Sequence, residues 1–159
     1  MEICDVYDEL GSRTGKSVAR GTKLPQGEYY LVVQVWIRNE AGEYLIQQRA
    51  LNLLSDPGIW ATTAGYVVAG EKSIDGAMRE VMEELGLQLS PAQLRHFDRL
   101  RTPPRLEDIW MANVLSDVIE APHSGEDVAD WKWASKETIR QMITDGAFFA
   151  YSYFDRLPE

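Results

Sequence analysis

The sequence lacks the cysteines and the long apolar runs that secreted and membrane proteins require. It has one cysteine, Cys4, in 159 residues, so no disulfide can form within the chain and nothing indicates an oxidising compartment. The longest apolar stretch, residues 31–37, is far shorter than the roughly 20 residues that cross a bilayer. The first residues also lack the basic and apolar regions of a signal peptide. We therefore expect a cytoplasmic protein without membrane contact.

Basic residues are scarce as well. There are 16 Lys and Arg residues against 25 Asp and Glu residues, which gives a formal net charge of -9. Affinity for nucleic acid depends mainly on Lys and Arg side chains that neutralise phosphates, so a nucleic-acid polymer is not an expected partner. An acidic surface by itself indicates only solubility. Where carboxylates converge, however, they can bind a divalent cation.

The composition is that of a folded domain. Hydrophobic residues make up 45% of the chain, with five Trp, seven Tyr and four Phe, which is sufficient for a core. We predict a single domain over residues 1–159, with a strand-and-turn extension at 1–28 and an aromatic tail at 147–159. The tail should pack on this subunit or on another, and the second arrangement would make the protein a homodimer.

Hydrophobic periodicity predicts strands on both sides of one central helix. Residues 29–38 are apolar enough for a buried strand, and the turn at 39–42 predicts a hairpin with the next strand. A second helix should begin at a Ser135 cap and end at Gly146. Segment 8–15 is predicted to be a turn. The predicted strands are 2–7, 29–38, 43–49, 59–62, 66–69, 94–101, 108–115 and 131–133. This order predicts an α/β (α+β) fold, with a mixed sheet covered by helices on both faces.

The central helix is predicted over residues 73–85, with Ser73 as its N-cap and Gly86 as the residue that ends it. The spacing of Glu80, Glu83 and Glu84 places three carboxylates on one face of this helix. That face is either solvated or a site for a hard cation. The opposite, apolar face contains Ile74, Ala77, Met78, Val81, Met82 and Leu85.

A 23-residue motif surrounds this acidic face. Gly65 is followed by five residues and Glu71, then by seven residues and the sequence Arg-Glu-Val-Met-Glu-Glu-Leu-Gly-Leu at 79–87. The motif has seven single-residue requirements, which a random sequence meets with a probability on the order of one in 10⁸. The segment 65–87 resembles the complete Nudix box of the Nudix hydrolase family. Residues 58–65 resemble the branch that includes isopentenyl-diphosphate-isomerase-like Nudix proteins.

The resemblance implies a fold and an activity. The fold would be the Nudix-type α/β/α sandwich with a central mixed sheet. The activity would be cleavage of a pyrophosphate bond in a nucleoside diphosphate-linked or related small substrate, by a water that Mg²⁺, or alternatively Mn²⁺, activates.

The resemblance also implies roles for the motif residues. The carboxylates of Glu80, Glu83 and Glu84 and the backbone carbonyl of Gly65 would bind the metal. Arg79 would hold a motif carboxylate by a charge-assisted hydrogen bond, and Glu71 would brace the loop before the helix. Gly65 and Gly86 would be positions where the backbone conformation matters.

Two questions remain open within this interpretation. Glu83 is our first choice for the general base, and Glu126 or Asp127 is the alternative. Arg49 either contacts a phosphate or, as we favour, pairs with a motif glutamate. Three aromatic residues either stack on a base or, as is usual for such residues, belong to the core: Trp60, Tyr66 and Trp110.

Single residues distinguish hydrolysis from the other functions that the fold could have. The isomerase requires a cysteine immediately before the first motif glycine, where this chain has Ala64, so isomerase chemistry lacks its acid. A prenyl diphosphate hydrolase remains an alternative within the family. A catalytically silent binding protein would have lost motif carboxylates, and all are present. Trp131 and Trp133 should face one side of a strand and fill the core, whereas His96 and His123 should lie at the surface.

Overall fold

A computed structural model of the protein describes residues 1–119 and 126–159. The predicted loop at 121–125, with His123, lies outside the described residues. The described residues form nine strands and two α-helices: β1 Ile3–Tyr7, β2 Arg13–Ala19, β3 Tyr30–Arg38, β4 Tyr44–Arg49, β5 Trp60–Ala61, β6 Thr63–Tyr66, α1 Ser73–Leu85, β7 Leu94–Thr102, β8 Arg105–Asn113, β9 Val128–Ala134 and α2 Lys136–Thr144.

A seven-stranded mixed sheet forms the centre of the molecule. Its strand order is β5-β4-β3-β8-β7, with β6 paired to β3 and β9 paired to β4. β3 and β8 are parallel, and the other pairs are antiparallel. The predicted hairpin of β3 and β4 is confirmed by the antiparallel pairing of Arg38 with Tyr44. Beyond that pair the two strands separate, because β6 takes the place beside β3 and β5 the place beside β4.

The two faces of the sheet carry separate cores because side chains alternate along each strand. On β3, Val33 and Val35 belong to the core cluster that includes Val81 of α1. Trp36 belongs instead to the cluster that includes Ile139 of α2. Helices therefore cover both faces, as the sequence predicts for an α/β/α sandwich.

The strand β2 was not predicted from the sequence, which indicates a turn and then a polar stretch there. Most of its residues are exposed, so it shows no apolar period. It forms because it pairs antiparallel with β1, from Ile3 opposite Ala19 to Tyr7 opposite Arg13. The result is a two-stranded ribbon beside the main sheet, and Asp5 of this ribbon accepts a hydrogen bond from the backbone of Gly70 at 2.9 Å.

The aromatic tail packs on its own subunit. We call residues 148–157 the C-terminal strap. Phe148, Tyr153 and Phe154 are buried in the core cluster on the α2 side of the sheet. The strap is held by Lys136, whose side chain is 3% exposed and whose Nζ donates to the carbonyls of Asp155 at 3.0 Å and Leu157 at 2.6 Å.

Several local predictions need correction. Ser73 is the first residue of α1 and not its cap, and its Oγ accepts a hydrogen bond from Trp110 Nε1 at 2.9 Å. Met82, predicted on the buried face, is 37% exposed. The strand predicted at 66–69 lies at 63–66, because that segment pairs with β3. Trp131 and Trp133 share a face as predicted but are only half-buried at the edge of the core.

Other predictions are confirmed. Ser135 caps α2, its Oγ accepting from the backbone N–H of Thr138 at 3.1 Å. Gly86 ends α1 in the left-handed conformation, with φ of 68°. His96 is exposed, and its Nε2 lies 3.1 Å from Asp108 Oδ1. In the described part of the chain, no helix is long and apolar enough to cross a membrane.

Candidate active site

The backbone of Gly65 is in direct contact with the side chain of Glu80. Gly65 lies in β6, and Glu80 lies in the middle of α1, which packs across that strand. A β-carbon added at Gly65 would overlap the carboxyl group of Glu80. The resemblance implies that the backbone matters at Gly65, but the reason is not a left-handed conformation, because its φ does not lie in that region. Glycine is required there for space, and the close approach leaves Glu80 beside the backbone of β6.

Arg79 links the motif carboxylates to one another. Its Nε and Nη2 donate to the two carboxylate oxygens of Glu71 at 2.7 and 3.0 Å. Its Nη1 donates to Glu80 Oε1 at 2.9 Å and to Glu83 Oε2 at 3.2 Å. Arg79 also donates to the backbone carbonyl of Tyr66 at 2.9 Å. The guanidinium thus makes the charge-assisted contact that the motif implies and ties α1 to the loop before it.

Glu71 closes that loop. Besides its contact with Arg79, its Oε1 accepts from the backbone N–H of Val68 at 3.0 Å. Burial alone would raise the pKa of Glu71, but the hydrogen bonds from Arg79 and Val68 outweigh it, and the pKa is lowered. Gly76 lies under the same loop, where a β-carbon would meet Val67.

Glu84 is held from the sheet side. Its Oε1 accepts from Gln47 Nε2 at 2.6 Å, and Gln47 Oε1 accepts in turn from Thr63 Oγ1 at 2.9 Å. Its other oxygen, Oε2, is buried and has no hydrogen-bond partner among the described residues. Sequence reasoning missed Gln47 and Thr63, because neither belongs to the motif and only pairing between strands brings them to the helix.

Burial raises the pKa values of two motif carboxyls. The pKa of Glu84 rises to about 8, mainly because the group is desolvated, and the charge of Glu80 adds to the shift. Desolvation likewise raises the pKa of Glu80 to about 7, although the Arg79 guanidinium opposes it. Two neighbouring carboxylates of this kind are costly to ionise unless a positive charge lies between or beside them.

The residues present fit a hard divalent cation, although in the described residues no three acidic, histidine or cysteine side chains form a closed cluster. Glu80 and Glu83 are instead paired with Arg79. The buried, unpartnered Oε2 of Glu84 provides an oxygen that a cation would satisfy. The other candidate donors are also oxygens, which suit Mg²⁺ or Mn²⁺ better than a soft metal.

A cavity of about 600 Å³ opens from Gly65 and Glu84. Ala64, at the position where the isomerase requires its cysteine, is also in the wall. The cavity extends past the motif to residues of β3, β8 and the C-terminal strap. Lining residues that sequence reasoning did not single out are Arg20, Gln34, Arg105, Glu107, Phe149, Tyr151 and Tyr153.

Of the four residues proposed to contact the substrate, two line the cavity and two do not. Arg49 and Tyr66 line the cavity. The guanidinium of Arg20, from the amino-terminal ribbon, lies 4.3 Å from the centre of the Tyr66 ring. Arg49 donates to the carbonyl of Ser55 at 2.9 and 3.1 Å. The expected pairing of Arg49 with a motif glutamate is therefore wrong for this structure, because the guanidinium supports the loop after β4.

Trp60 and Trp110 are not among the described lining residues. Lys132 Nζ lies 4.6 Å from the centre of the Trp60 ring. Trp110 packs against the core on the α1 side and contacts Ser73. Both therefore match the alternative interpretation of a structural aromatic residue.

The two alternative bases differ in position. Glu126 and Asp127 are both exposed. The backbone carbonyl of Asp127 accepts from the N–H of Ala50 at 3.0 Å, which attaches this turn to the end of β4. The charge of Asp127 contributes to the raised pKa of Glu84, after burial and the charge of Glu80.

Comparison with known sequences identifies relatives over the whole chain. A family model described as NUDIX domain matches residues 28–157. An uncharacterised Nudix hydrolase of Listeria monocytogenes is 33% identical over 158 residues, covering 99% of this chain and 94% of the relative. An isopentenyl-diphosphate Delta-isomerase of Streptomyces avermitilis is 32% identical over 100 residues, covering 62% of this chain and 50% of that enzyme.

Comparison with solved structures gives the same fold. A crystal structure of a Deinococcus radiodurans protein has a TM-score of 0.76 and 19% identity, covering 98% of this chain and 96% of that one. The MutT protein from Methanosarcina mazei has a TM-score of 0.65 and 26% identity, covering 80% of this chain and 91% of that one. The likeness to the Deinococcus radiodurans protein concerns the fold alone. It includes the amino-terminal ribbon, because nearly all of this chain is covered.

Proposed function

The chain belongs to the Nudix family, and on that premise we propose that it is a hydrolase that uses Mg²⁺ or Mn²⁺. The bond cleaved would be the pyrophosphate bond of a nucleoside diphosphate-linked or related small substrate. Nudix hydrolases act on phosphate-containing compounds and generally use divalent metals. What we propose beyond membership of the family is the identity of the metal and of the substrate class.

The observation that carries this proposal is the state of Glu84. One of its oxygens is buried without a hydrogen-bond partner among the described residues, at the wall of a cavity that also includes Gly65. A buried carboxylate oxygen without a partner is costly in a stable fold. A divalent cation would remove that cost, and it would stand where a diphosphate could enter the cavity.

The metal would be held by the carboxylates of Glu80, Glu83 and Glu84 and by the backbone carbonyl of Gly65. When bound, it would neutralise phosphate oxygens and lower the pKa of an attacking water. Arg79 positions Glu80 and Glu83 through its hydrogen bonds. The chain therefore contributes mainly placement and charge, which are the principal requirements of phosphoryl transfer.

Glu83 is the base that we propose. Its side chain is 57% exposed, and its contact with Arg79 is a single hydrogen bond at 3.2 Å. It can therefore accept a proton from water without first leaving a buried position. Asp127, whose charge contributes to the raised pKa of Glu84, and Glu126 are the alternatives.

The isomerase-like relatives make a second activity testable. Isomerisation of isopentenyl diphosphate needs an acid at the position of Ala64, which this chain does not supply. Isopentenyl diphosphate should therefore give no dimethylallyl diphosphate. Formation of that product would overturn our choice of hydrolysis over isomerisation.

The hydrolysis itself is tested with a panel of nucleoside diphosphates, nucleoside diphosphate conjugates and isoprenoid diphosphates. Each is incubated with Mg²⁺, with Mn²⁺ or with a chelator, and the phosphate-containing products are separated and quantified by chromatography against a sample without the protein. We expect metal-dependent release from at least one compound. No release from any of them would favour the alternative that the chain is a catalytically silent Nudix-fold binding protein.

A further inference from the structure

On the side of the sheet away from α1, the cavity wall has charged and amide side chains beside Val32. β3 and β8 run parallel, with Tyr30 opposite Arg105 and Val32 opposite Glu107. Alternation along the strands places Gln34, Arg105 and Glu107 on the same face, and all three line the cavity. An isoprenoid chain, by contrast, would be accommodated by an apolar wall. The part of the substrate that lies here should therefore form hydrogen bonds.

These side chains have hydrogen-bonding capacity that the fold does not use. Glu107 is 12% exposed, and its nearest cation, Arg105 Nε, lies 3.6 Å away, beyond hydrogen-bond distance. Arg105 Nε is itself buried without a hydrogen-bond partner among the described residues. The carbonyl oxygen of Gln34 accepts from the Tyr153 hydroxyl, which leaves the amide N–H groups of Gln34 available. The wall thus offers a carboxylate acceptor next to N–H donors.

Aromatic rings of the C-terminal strap form the facing wall. Phe149 is 45% exposed, and its ring centre lies 5.1 Å from that of Tyr151. Burial raises the pKa of the Tyr151 and Tyr153 hydroxyls, and the charge of Glu107 adds to both shifts; all three residues line the same cavity. Aromatic faces beside fixed hydrogen-bonding groups suit a planar, polar ring.

Tyr151 connects this wall with the metal-binding motif. The raised pKa of its hydroxyl, due first to burial, also includes contributions from the charges of Glu84 and Glu107. Tyr151, Glu84 and Glu107 all line the same cavity. A ligand with a phosphate group at Glu84 and a planar ring at Glu107 would span the cavity, whose volume of about 600 Å³ is in the usual range for small-molecule sites.

We propose that Glu107, supported by Arg105 and Gln34, is a specificity-determining residue that accepts hydrogen bonds from the N–H groups of a nucleobase. This inference rests on the proposed function, and it names the nucleoside compounds, rather than the isoprenoid ones, as the substrate class. A ligand without such donors leaves Glu107, within residues 1–119 and 126–159, with only the Arg105 ion pair at 3.6 Å, and sites built to hydrogen-bond a substrate discriminate strongly against analogues that lack the hydrogen bond.

The test uses nucleoside monophosphates, which contain no phosphoanhydride bond and so report binding whether or not the protein hydrolyses anything. Binding of AMP, GMP, CMP and UMP to the full-length protein with Mg²⁺ is compared by calorimetry with binding of dimethylallyl monophosphate. We expect at least one nucleotide to bind at least about tenfold more tightly than the isoprenoid. Glu107→Gln should weaken that nucleotide by at least about tenfold and the isoprenoid by less than about twofold.

Glu137→Gln is the matched control, since Glu137 is exposed on α2, and it should leave both affinities unchanged. Gln34→Leu is a second variant and should weaken the same nucleotide. Equal or tighter binding of the isoprenoid, no binding of any nucleotide, or an equal effect of Glu107→Gln on both ligands would overturn the inference. If base selectivity is present but the diphosphate panel shows no hydrolysis, the proposed function fails and this inference does not.

Discussion

The backbone of Gly65 lies so close to the carboxyl group of Glu80 that residue 65 has no room for a side chain. The first glycine of the motif thereby determines where one of its carboxylates lies. This contact between β6 and α1 explains why two motif positions separated along the chain act as one unit. It also leads to the first of four predictions.

Gly65→Ala should displace Glu80 from the site while leaving the fold intact. The added methyl group overlaps the carboxylate, which must move because the strand is held by its pairing with β3. We expect hydrolysis to fall at least about a hundredfold, the usual scale for a misplaced catalytic group. The nearby variant Ala69→Ser serves as control, since Ala69 is exposed and is not among the residues that line the cavity, and it should stay within a few fold of the wild type. Steady-state kinetics and a melting curve measure both effects, and normal turnover in Gly65→Ala would contradict the contact.

The base is identified by comparing Glu83→Gln with Asp127→Asn. Each substitution removes the proton acceptor and keeps the shape of the side chain, and rates are compared at saturating Mg²⁺ because Glu83 is also a proposed metal ligand. We expect kcat to fall about a hundredfold or more in Glu83→Gln and less than about tenfold in Asp127→Asn, because loss of a general base has the larger effect. Glu126→Gln should have no effect. The reverse order for Glu83 and Asp127 would transfer the role of base to Asp127.

The stability of the metal-free protein should depend on pH through Glu84. The pKa of its carboxyl is about 8 in the folded protein and has an ordinary value of 4.5 when unfolded, so the folded state binds the extra proton between these values. The stabilisation that the folded state gains from binding this proton is therefore fully present below about pH 4.5 and is lost as the pH rises towards 8. Because Glu84→Gln cannot ionise, its free energy of unfolding should rise relative to that of the wild type as the pH increases through this window.

Urea unfolding in a chelator at pH 5.5 and pH 8.5 measures the effect. The difference in free energy of unfolding between variant and wild type should grow by up to about 1.4 kcal/mol per pH unit. Mg²⁺ should stabilise the wild type at pH 8.5 but not the variant, because the cation favours the ionised carboxylate. Glu137→Gln should behave like the wild type throughout. A Glu84→Gln protein that is less stable than the wild type at pH 8.5 without metal would argue against a desolvated carboxylate.

Lys136 should control the C-terminal strap. Its buried ammonium donates to two strap carbonyls and lies 3.3 Å from Glu159 Oε1. Lys136→Met leaves those carbonyls without a donor, and we expect a loss of about 2–4 kcal/mol in the free energy of unfolding. Faster hydrogen exchange in residues 153–157 and a raised KM should accompany it, because strap residues line the cavity. Lys23→Met, at an exposed position, is the control. Unchanged exchange in the strap would show that Lys136 does not hold it.

Local patterns in the sequence were sufficient for much of the scaffold. The apolar run of β3, the turn after it and the helix that ends at Gly86 each depend on neighbouring residues, so their positions could be predicted closely. The strand β2 could not, since its residues are polar and exposed and it exists only because β1 lies beside it. The end of α1 and its acidic face were likewise predictable, whereas the role of Ser73 depended on Trp110, which β8 brings to it.

By itself the sequence determined the family, the fold class and the carboxylates of the candidate site, because the motif lies within 23 consecutive residues and helix geometry relates them. Only the tertiary structure decided which groups surround those carboxylates. Gln47 reaches Glu84 from a different strand, and Glu107 and Tyr151 line the same cavity because β8 pairs with β3 while the strap folds back over the sheet. Contacts of this kind depend on how distant segments pack together, and a local sequence pattern contains no record of that packing.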